Sequence, residues 1–322
     1  MTTDESFTRR AGVVLGAMYF GTRVDEGTSF DLLDRFVDGG GRWIDTANAY
    51  SFWADPSGVG GQSEQVIGRW LAARPGMRDR VRISTKVRHQ PTVPHHWPES
   101  AEGLSAPAIR AAVEASLKRL GTDVIDLYWA HAEDRSVPLE ETVGVFGELA
   151  ARGVVRRTGA SNHAAWRVER ARGIARERGV AGWTALQLRH SYVQPRPGAE
   201  LPDDGHMIAS AEQLDYVAEN PRFMLWAYTP LINGAYVRED RPLPAAYDHP
   251  GTARRLAALA GVAGEVGASA GQVVLAWLLG GTPRAMPILG VSAAAHLDDA
   301  LSAADLRLSE QQRARLDDPA LG

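Results

Sequence analysis

The order of apolar and polar residues divides the chain into two kinds of segment that alternate from end to end. Short runs of β-branched and other apolar residues are typical of buried strands. Longer segments carry apolar residues at helical spacing, as in Phe30, Leu33 and Val37, and Gly39–Gly41 ends that helix. Ser105 is placed to cap a later helix of the same kind. The pattern therefore predicts strands and helices in regular alternation.

The strand–helix units can be counted along the sequence. The predicted strands are Val13–Leu15, Arg42–Asp45, Arg82–Lys86, Ile125–His131, Val155–Ser161, Ala185–Leu188, Met224–Tyr228 and Ala285–Ile288. Further predicted helices are Ser63–Arg74, Pro138–Arg152, Ala164–Arg178, Ser210–Asn220, Thr252–Val266 and Ala270–Leu279. Such alternation favours parallel strands with right-handed crossovers. Eight units in 322 residues predict an α/β fold, a single (β/α)8 TIM barrel over residues 1–322.

Three long polar segments follow predicted strands. They are Ser51–Gln62, His89–Gly103 and the Pro-rich Pro195–Asp204. No tract with linker composition divides the chain, so these segments are predicted as long βα-loops of one domain. In a barrel of this kind, such loops build the face at the carboxyl ends of the strands, where active sites lie.

Composition narrows the classes of function. The chain is 44% hydrophobic and 23% charged, with a net charge of −4, which is typical of a folded protein without a nucleic-acid surface. The apolar segment Val13–Phe20 is too short to span a membrane, and no secretory signal pattern opens the chain. We expect a cytoplasmic protein with no nucleic-acid or membrane partner. The absence of cysteine excludes disulfides and thiolate sites, and the oligomeric state stays open.

Polar residues follow several predicted strands and would share one mouth of the barrel. They are Asp45, Tyr50, Lys86, His131, Ser161, Asn162, Gln187, Tyr228 and Thr229. We find no carboxylate pair for glycoside hydrolysis, no nucleophile elbow, no metal-ligand spacing and no dinucleotide fingerprint. The other histidines of the mouth loops and helices are predicted as surface residues, namely His89, His95, His96, His163, His190, His206 and His249.

Lysine is rare in this chain. Of 35 basic Lys and Arg residues, only Lys86 and Lys118 are lysines. Genomic base composition accounts for the bias, but a lysine inside an apolar strand remains notable. Lysine combines a compact charge with a pKa that its surroundings can shift, which arginine does not.

In these residues the chain resembles the aldo-keto reductase family. The matching segments are Arg42–Tyr50, Gly60–Gly68, Ile83–Lys86, Asp126–His131, Thr158–Asn162, Leu186–Leu188 and Ala227–Leu231. The resemblance implies a catalytic group of Asp45, Tyr50, Lys86 and His131, and hydride transfer from a reduced nicotinamide to an aldehyde or ketone. A phenol has a pKa near 10, and a cation at about 4 Å is worth up to roughly 4 kcal/mol, so we expect Lys86 to lower the pKa of Tyr50.

The resemblance also implies where the cofactor and a small carbonyl substrate bind. Cofactor contacts are expected at Gly16, Met18, Asp45, Ser161, Asn162, Gln187, Tyr228, Thr229, Leu231, Gly234, Gly290, Ser292, His296 and Asp299. Aromatic residues expected on the mouth loops, against the substrate, are Tyr19, Phe20, Phe52, Trp53, Trp97 and Trp129. This mouth suits an aryl carbonyl, a lipid-like ketone or a keto-sugar equally well.

Cofactor choice and turnover stay open at this stage. NADP(H) is what the resemblance implies, but the last loop has Ser292 where a basic residue is common, so NAD(H) is an alternative. Ser292, His296 and the nearby Arg284 are the candidate partners of a 2′-phosphate, and Asp298 and Asp299 oppose it. A regulatory subunit that senses cofactor redox state with little turnover is the alternative function. A barrel hydrolase or isomerase would bind no nicotinamide.

Overall fold

Eight parallel strands form a closed barrel in the computed structural model of the chain, which describes residues 9–199, 205–318 and 320. Each strand pairs with the next in sequence, and the last pairs with the first. The strands are β1 (Val14–Gly16), β2 (Trp43–Asp45), β3 (Arg82–Val87), β4 (Leu127–Ala130), β5 (Thr158–Ser161), β6 (Ala185–Arg189), β7 (Met224–Tyr228) and β8 (Ala285–Gly290). The predicted (β/α)8 fold is confirmed.

Helices follow the strands and cover the barrel. They are α1 (Glu26–Asp38), α2 (Gln62–Ala72), α3 (Met77–Arg80), α4 (Ala106–Leu120), α5 (Leu139–Ala151), α6 (Ala165–Glu177), α7 (Ala211–Ala218), α8 (Pro250–Val266), α9 (Ala270–Leu279), α10 (Ala294–Ser302) and α11 (Glu310–Leu316). The sequence pattern did not predict α3 or α11. Ser105 precedes α4, but its side chain makes no capping hydrogen bond. The Ala106 N–H donates to Glu141 Oε1 at 2.7 Å.

Within the described ranges, no helix taken alone is long and apolar enough to cross a membrane. The adjacent helices α8 and α9, which meet at a 95° bend, pass the same test only as a pair, on length and composition.

Three tryptophan rings fill the barrel interior. Trp129 on β4 and Trp43 on β2 both pack edge-to-face against Trp226 on β7, at ring-centroid distances of 5.3 and 5.1 Å. The predicted position of Trp129 on a mouth loop is wrong. It lies inside β4 with no exposed surface, because alternate residues of a barrel strand point inward.

The strand register brings the polar strand ends to one level. Asp45 pairs with Gly16 on one side and with Ser84 on the other. Lys86 lies two residues beyond Ser84 on β3 and so points to the same, inner face. The predicted long loops Ser51–Gln62 and His89–Gly103 fall in segments 46–61 and 88–105, which follow these strands, except that Gln62 is the first residue of α2. The third, Pro195–Asp204, includes residues 200–204, which lie outside the described residues.

The packing of α2 on α4 depends on a glycine. A Cβ at Gly68 would overlap the backbone carbonyl oxygen of Arg119. We expect Gly68→Ala to lower the free energy of unfolding by roughly 1–3 kcal/mol, since the backbone must shift to admit the methyl group. Denaturant titration measures this change.

The matched control is a glycine in an open helical position. Gly264 lies on the exposed side of α8, with no described atom within 4 Å of an added Cβ. Gly264→Ala should raise the free energy of unfolding by up to about 1 kcal/mol, the helix-propensity difference between the two residues. Equal effects at the two positions would contradict the close approach at Gly68.

Candidate active site

Lys86 is the centre of a hydrogen-bonded group at the carboxyl ends of β2 and β3. Its Nζ donates to Asp45 Oδ2 at 2.5 Å and to the Tyr50 hydroxyl oxygen at 2.9 Å. A third bond, of 2.8 Å, goes to the carbonyl oxygen of Thr46. Asp45 Oδ1 accepts a further hydrogen bond of 2.6 Å from the Ser84 hydroxyl. The three ammonium donors and both carboxylate oxygens therefore have partners.

The loop after β2 is shaped so that Tyr50 turns back over Lys86. The Asn48 N–H donates to the carbonyl oxygen of Lys86 at 3.2 Å, which continues the strand pairing by one step. The Tyr50 N–H then donates to the Ala47 carbonyl oxygen at 3.1 Å, closing a turn. The Asn48 side chain is itself fixed, because its Nδ2 donates to Glu102 Oε1 at 2.7 Å. The phenol is thus held by its own loop as well as by the lysine.

The pKa of Tyr50 is raised, contrary to the expectation from the sequence. Burial of the phenol raises its pKa, and the charge of Asp45 raises it further. The charge and hydrogen bond of Lys86 lower the pKa but do not outweigh burial. The hydroxyl therefore keeps its proton at neutral pH, and Lys86 limits how far the pKa rises.

The pKa of Lys86 is also raised. Burial disfavours the ammonium ion, but the adjacent Asp45 charge and the Tyr50 hydroxyl more than compensate. Lys86 has no exposed surface and Asp45 is 1% exposed, so the pair lies away from solvent. The site therefore encloses one permanent positive charge beside one carboxylate.

His131 completes the group from the end of β4. Its backbone N–H donates to the carbonyl oxygen of Val87 at 3.0 Å. Its ring lies edge-on to that of Tyr50, with centroids 5.8 Å apart. Its Nδ1 is buried without a hydrogen-bond partner among the described residues, whereas Nε2 is not enclosed in this way. Burial, and then the neighbouring His89 and Lys86, lower the pKa of His131 well below its usual value. The imidazole is neutral.

Four of the aromatic residues expected at the mouth form one continuous wall. Trp53 contacts Phe52 at 5.0 Å, Tyr19 at 6.4 Å and Tyr50 at 6.5 Å between ring centroids. Trp97 extends the wall through Phe52 at 5.7 Å. These rings come from three loops, those after β1, β2 and β3. Trp53 joins this wall to the ring of Tyr50.

The other two predicted substrate residues lie elsewhere. Phe20 is 1% exposed and packs in the hydrophobic core, because its backbone bridges to Val24 and turns the ring away from the mouth. Trp129 lies in the barrel interior, as described above. The structure therefore corrects the placement of both.

Asn162 connects two other predicted cofactor residues, Ser161 and Tyr228. Its Nδ2 donates to the Ser161 hydroxyl and to the His131 carbonyl oxygen, each at 3.2 Å. Its Oδ1 accepts from the Tyr228 hydroxyl at 2.7 Å and from the Met207 N–H at 3.0 Å. Because α6 begins after Ala164 with no side-chain cap, Ser161 and Asn162 do not serve as its cap. Their side chains form the wall of the mouth instead.

Gln187 has an unused polar group in this wall. It pairs with Ser161 across β5 and β6 and is 2% exposed, yet its Nε2 has no hydrogen-bond partner among the described residues. A buried amide without a partner is costly, so it indicates a position for a ligand. A nicotinamide carboxamide, which both donates and accepts hydrogen bonds, fits this position.

The loop after β7 has an unusual backbone. Thr229, Ile232 and Asn233 have φ of 52°, 48° and 57°, in the left-handed region, and Gly234 has φ of 95°. Leu231 lies half-buried within the same turn, and its carbonyl oxygen accepts from the Gly234 N–H at 2.9 Å. Successive turns of this kind direct backbone N–H groups to one side, which is typical of anion-binding loops.

The ends of β1 and β8 lie side by side. Gly16 pairs with Gly290, and the Met18 carbonyl oxygen accepts from the Ser51 hydroxyl at 2.6 Å. Ser292 follows β8 and is exposed, as is His296 on α10. These exposed groups lie at the same end of the barrel as Lys86.

The charges near the last loop differ from the expectation. Asp298 forms an ion pair with Arg35 of α1, so its charge is compensated, while Asp299 is exposed. Arg284 precedes β8 and Gly290 ends it, which places Arg284 at the opposite end of the barrel. Nearness in sequence was misleading, because a six-residue strand separates the two ends.

Comparison with known proteins identifies the family. The sequence model of the aldo/keto reductase family matches residues 12–320. The chain belongs to the aldo-keto reductase family. Its fold agrees with a solved thermostable aldo-keto reductase in complex with the inhibitor epalrestat, at a TM-score of 0.72 and 25% identity, covering 97% of this chain and 95% of that one.

An oxidoreductase, a reductase and a dehydrogenase match the chain over most of its length. The uncharacterized oxidoreductase YrpG of Bacillus subtilis is 30% identical, over 96% of this chain and 92% of its own. The norsolorinic acid reductase stcV of Emericella nidulans is 30% identical, over 96% and 78%. The aryl-alcohol dehydrogenase [NADP(+)] of Phanerodontia chrysosporium is 29% identical, over 95% and 81%.

His89 is a residue of this aldo-keto reductase mouth that the sequence pattern missed. It was expected on the surface, but it is half-buried, with its ring stacked on His131. Its position three residues after Lys86 was the available signal. His163 and His190 were also expected on the surface and are buried, with burial lowering the pKa of each to about 4. In the ranges that the structure describes, no three His, Asp or Glu side chains are placed to hold a metal.

The Lys86–Asp45 pair gives a prediction for both stability and activity. We expect Lys86→Met to lower the free energy of unfolding by about 3–5 kcal/mol, because Asp45 would remain as a buried charge without its partner. Carbonyl reduction should be lost as well. Lys118→Met, on the exposed face of α4, should leave both quantities nearly unchanged.

A double variant tests the cause of this loss. Asp45→Asn combined with Lys86→Met removes both charges and should recover part of the stability without recovering activity. Denaturant titration of the wild type, Asp45→Asn, Lys86→Met and the double variant measures the coupling. A double variant no more stable than Lys86→Met would show that lost packing, rather than an unpaired charge, causes the effect.

Proposed function

We propose that this aldo-keto reductase reduces an aldehyde or ketone with a reduced nicotinamide cofactor, and that Tyr50 donates the proton. The observation that carries the proposal is the bond set of Lys86, whose ammonium joins the Asp45 carboxylate to the Tyr50 hydroxyl. It places an acid with a retained proton beside a fixed positive charge. A phenol needs such a charge to release its proton at neutral pH.

Each side chain has a distinct part in this proposal. The Tyr50 hydroxyl gives its proton to the carbonyl oxygen, and the Lys86 ammonium, 2.9 Å away, stabilises the phenolate that remains. Asp45 keeps that ammonium charged in its buried position. The neutral His131 donates from its Nε2 to the same carbonyl oxygen and orients it. The aromatic wall excludes water from the reacting carbonyl.

The residues at the ends of β5, β6 and β7 would hold the cofactor, which when bound supplies the hydride. The unpartnered Gln187 amide and the Ser161 hydroxyl would bind the carboxamide, and Tyr228 would stack on the ring. The left-handed turns after β7 would receive the pyrophosphate. Binding through Asn162 would require one of its four hydrogen bonds to be exchanged.

We propose NADP(H) as the cofactor, with a modest preference over NAD(H). No Lys or Arg lies between Gly290 and Ala300, so Ser292, His296 and backbone groups would hold the 2′-phosphate. Neutral hydrogen bonds contribute about 1 kcal/mol each, less than charge-assisted ones. The ion pair of Asp298 with Arg35 reduces repulsion of the phosphate. One relative, the aryl-alcohol dehydrogenase, has NADP(+) in its name.

For the substrate, the wall of Tyr19, Phe52, Trp53 and Trp97 supports a carbonyl compound with a flat apolar group. Such rings stack favourably on aromatic substrates. An aryl-alcohol dehydrogenase among the relatives agrees with this class.

Replacing the proposed acid tests the reaction. Tyr50→Phe should lower kcat for an aryl aldehyde by about 100-fold or more, since the proton donor is lost, with cofactor affinity nearly unchanged. Absorbance decay of the reduced cofactor measures turnover, and nicotinamide fluorescence measures binding. The control is Tyr216→Phe, which removes a hydroxyl bound to Glu169 and Arg172 on the helical layer.

Two results would overturn this assignment in different ways. A Tyr50→Phe variant with normal kcat would exclude Tyr50 as the acid. Tight cofactor binding by the wild type without turnover on a broad panel of carbonyls would favour a cofactor-sensing subunit instead.

The last loop gives a prediction about cofactor choice. Ser292→Arg should lower the Kd for NADPH by about tenfold or more while leaving the Kd for NADH little changed, because a guanidinium pairs with the 2′-phosphate. Ser292→Gln, of similar length and no charge, is the control. If Ser292→Arg changes both affinities equally, the phosphate binds elsewhere.

A further inference from the structure

We propose that His89 is a second hydrogen-bonding group of the substrate pocket, and that it selects carbonyl compounds with a hydroxyl on the carbon next to the reacting carbonyl. The proposal rests on the proposed reduction and adds the substrate class. Hydroxymethyl aryl ketones and keto-sugars both have this arrangement of oxygens.

The position of His89 places it between the reacting centre and the aromatic wall. Its ring stacks on that of His131, with centroids 4.4 Å apart and planes 25° apart. Its other neighbour is Trp97, edge-on at 6.0 Å. A substrate whose carbonyl oxygen reaches His131 and whose other end contacts Trp97 therefore lies beside His89.

The ring nitrogens of His89 are not used by the protein. Among the described residues, neither nitrogen has a hydrogen-bond partner, and neither is enclosed as Nδ1 of His131 is. Two other histidines do have partners: His163 Nδ1 lies 2.8 Å from the Ser161 carbonyl oxygen, and His249 Nε2 lies 2.9 Å from that of Gln194. A half-buried imidazole with two open nitrogens indicates a ligand group.

The backbone adopts a rare conformation just before His89. Arg88 has φ of 126°, which residues with a side chain seldom adopt. It is held there from both sides, since its N–H donates to Glu102 Oε1 at 2.8 Å and its Nε donates to the Glu133 carbonyl oxygen at 2.9 Å. Strain of this kind concentrates at functional sites. A histidine whose only role was to stack on His131 would not need a strained backbone before it.

The charge state of His89 determines the kind of oxygen it can bind. Burial, and then the charges of Arg88, His206 and Lys86, lower the pKa of His89 to about 3. The neutral ring has one donor and one acceptor nitrogen. A hydroxyl, which both donates and accepts hydrogen bonds, matches this ring. A carboxylate would find no positive charge on the ring to pair with. Because the rings of His89 and His131 are stacked, their edges can face two oxygens on neighbouring carbons.

The test compares two ketones of the same shape. 2-Hydroxyacetophenone and propiophenone differ only in a hydroxyl that replaces a methyl group. We expect His89→Phe, which keeps a flat ring over His131, to lower kcat/KM for the hydroxyketone about tenfold relative to propiophenone, since one hydrogen bond is lost. His89→Gln keeps a donor and an acceptor but loses the stacked ring, and should retain the selectivity.

The outcomes separate this proposal from the one it rests on. If wild type and His89→Phe show the same ratio of kcat/KM for the two ketones, or if His89→Gln loses the selectivity, His89 acts only through its stack on His131 and the proposal fails. The reductase assignment would then still stand, because both ketones are turned over. If the wild type reduces neither these ketones nor any other carbonyl, both proposals fail.

Discussion

The enclosed ammonium of Lys86 is the constraint on which the mouth of the barrel depends. A buried cation costs several kcal/mol unless it is paired and fully hydrogen-bonded. The chain meets this need with a carboxylate, a backbone carbonyl and a phenol, which come from the end of β2 and the loop that follows it. The register of β2 on β3 sets the distance between Asp45 and Lys86, so the geometry of the barrel determines the electrostatics of the site.

That single charge also determines the state of the groups around it. The opposite charges of Lys86 and Asp45 compensate each other. Both imidazoles nearby, His131 and His89, are neutral at physiological pH because they are buried beside a cation. A molecule that enters the mouth therefore meets neutral imidazole rings, rather than imidazolium ions, beside the Lys86–Asp45 pair. Glu102 fixes two of the loops around these groups, since it accepts hydrogen bonds from the backbone N–H of Arg88 and from the side chain of Asn48.

Much of this could be predicted from the sequence, because parallel strands bring their ends to one edge whatever their exact bounds. Asp45, Lys86 and His131 were found for that reason. Which way a ring points depends on the strand register, so Trp129, whose backbone pairs with Lys86, was expected at the mouth although its ring fills the barrel interior. The direction of the Tyr50 pKa shift depends on whether burial or the lysine charge prevails, which only distances decide. Arg284 was misplaced because nearness in sequence does not reveal which end of β8 a residue occupies.

The pairing of β1 with β8 joins residues that are far apart in the sequence, such as Gly16 and Gly290. Contacts so far apart in sequence form late and slowly, since the entropy of closing the loop is lost before they contribute. The ion pair of Arg35 with Asp298 lies across the same junction. Gly16 and Gly290, on either side of it, are both proposed cofactor contacts. A molecule bound to both strands would favour the closed barrel by mass action, so cellular cofactor supply would also govern how long the native protein survives proteolysis.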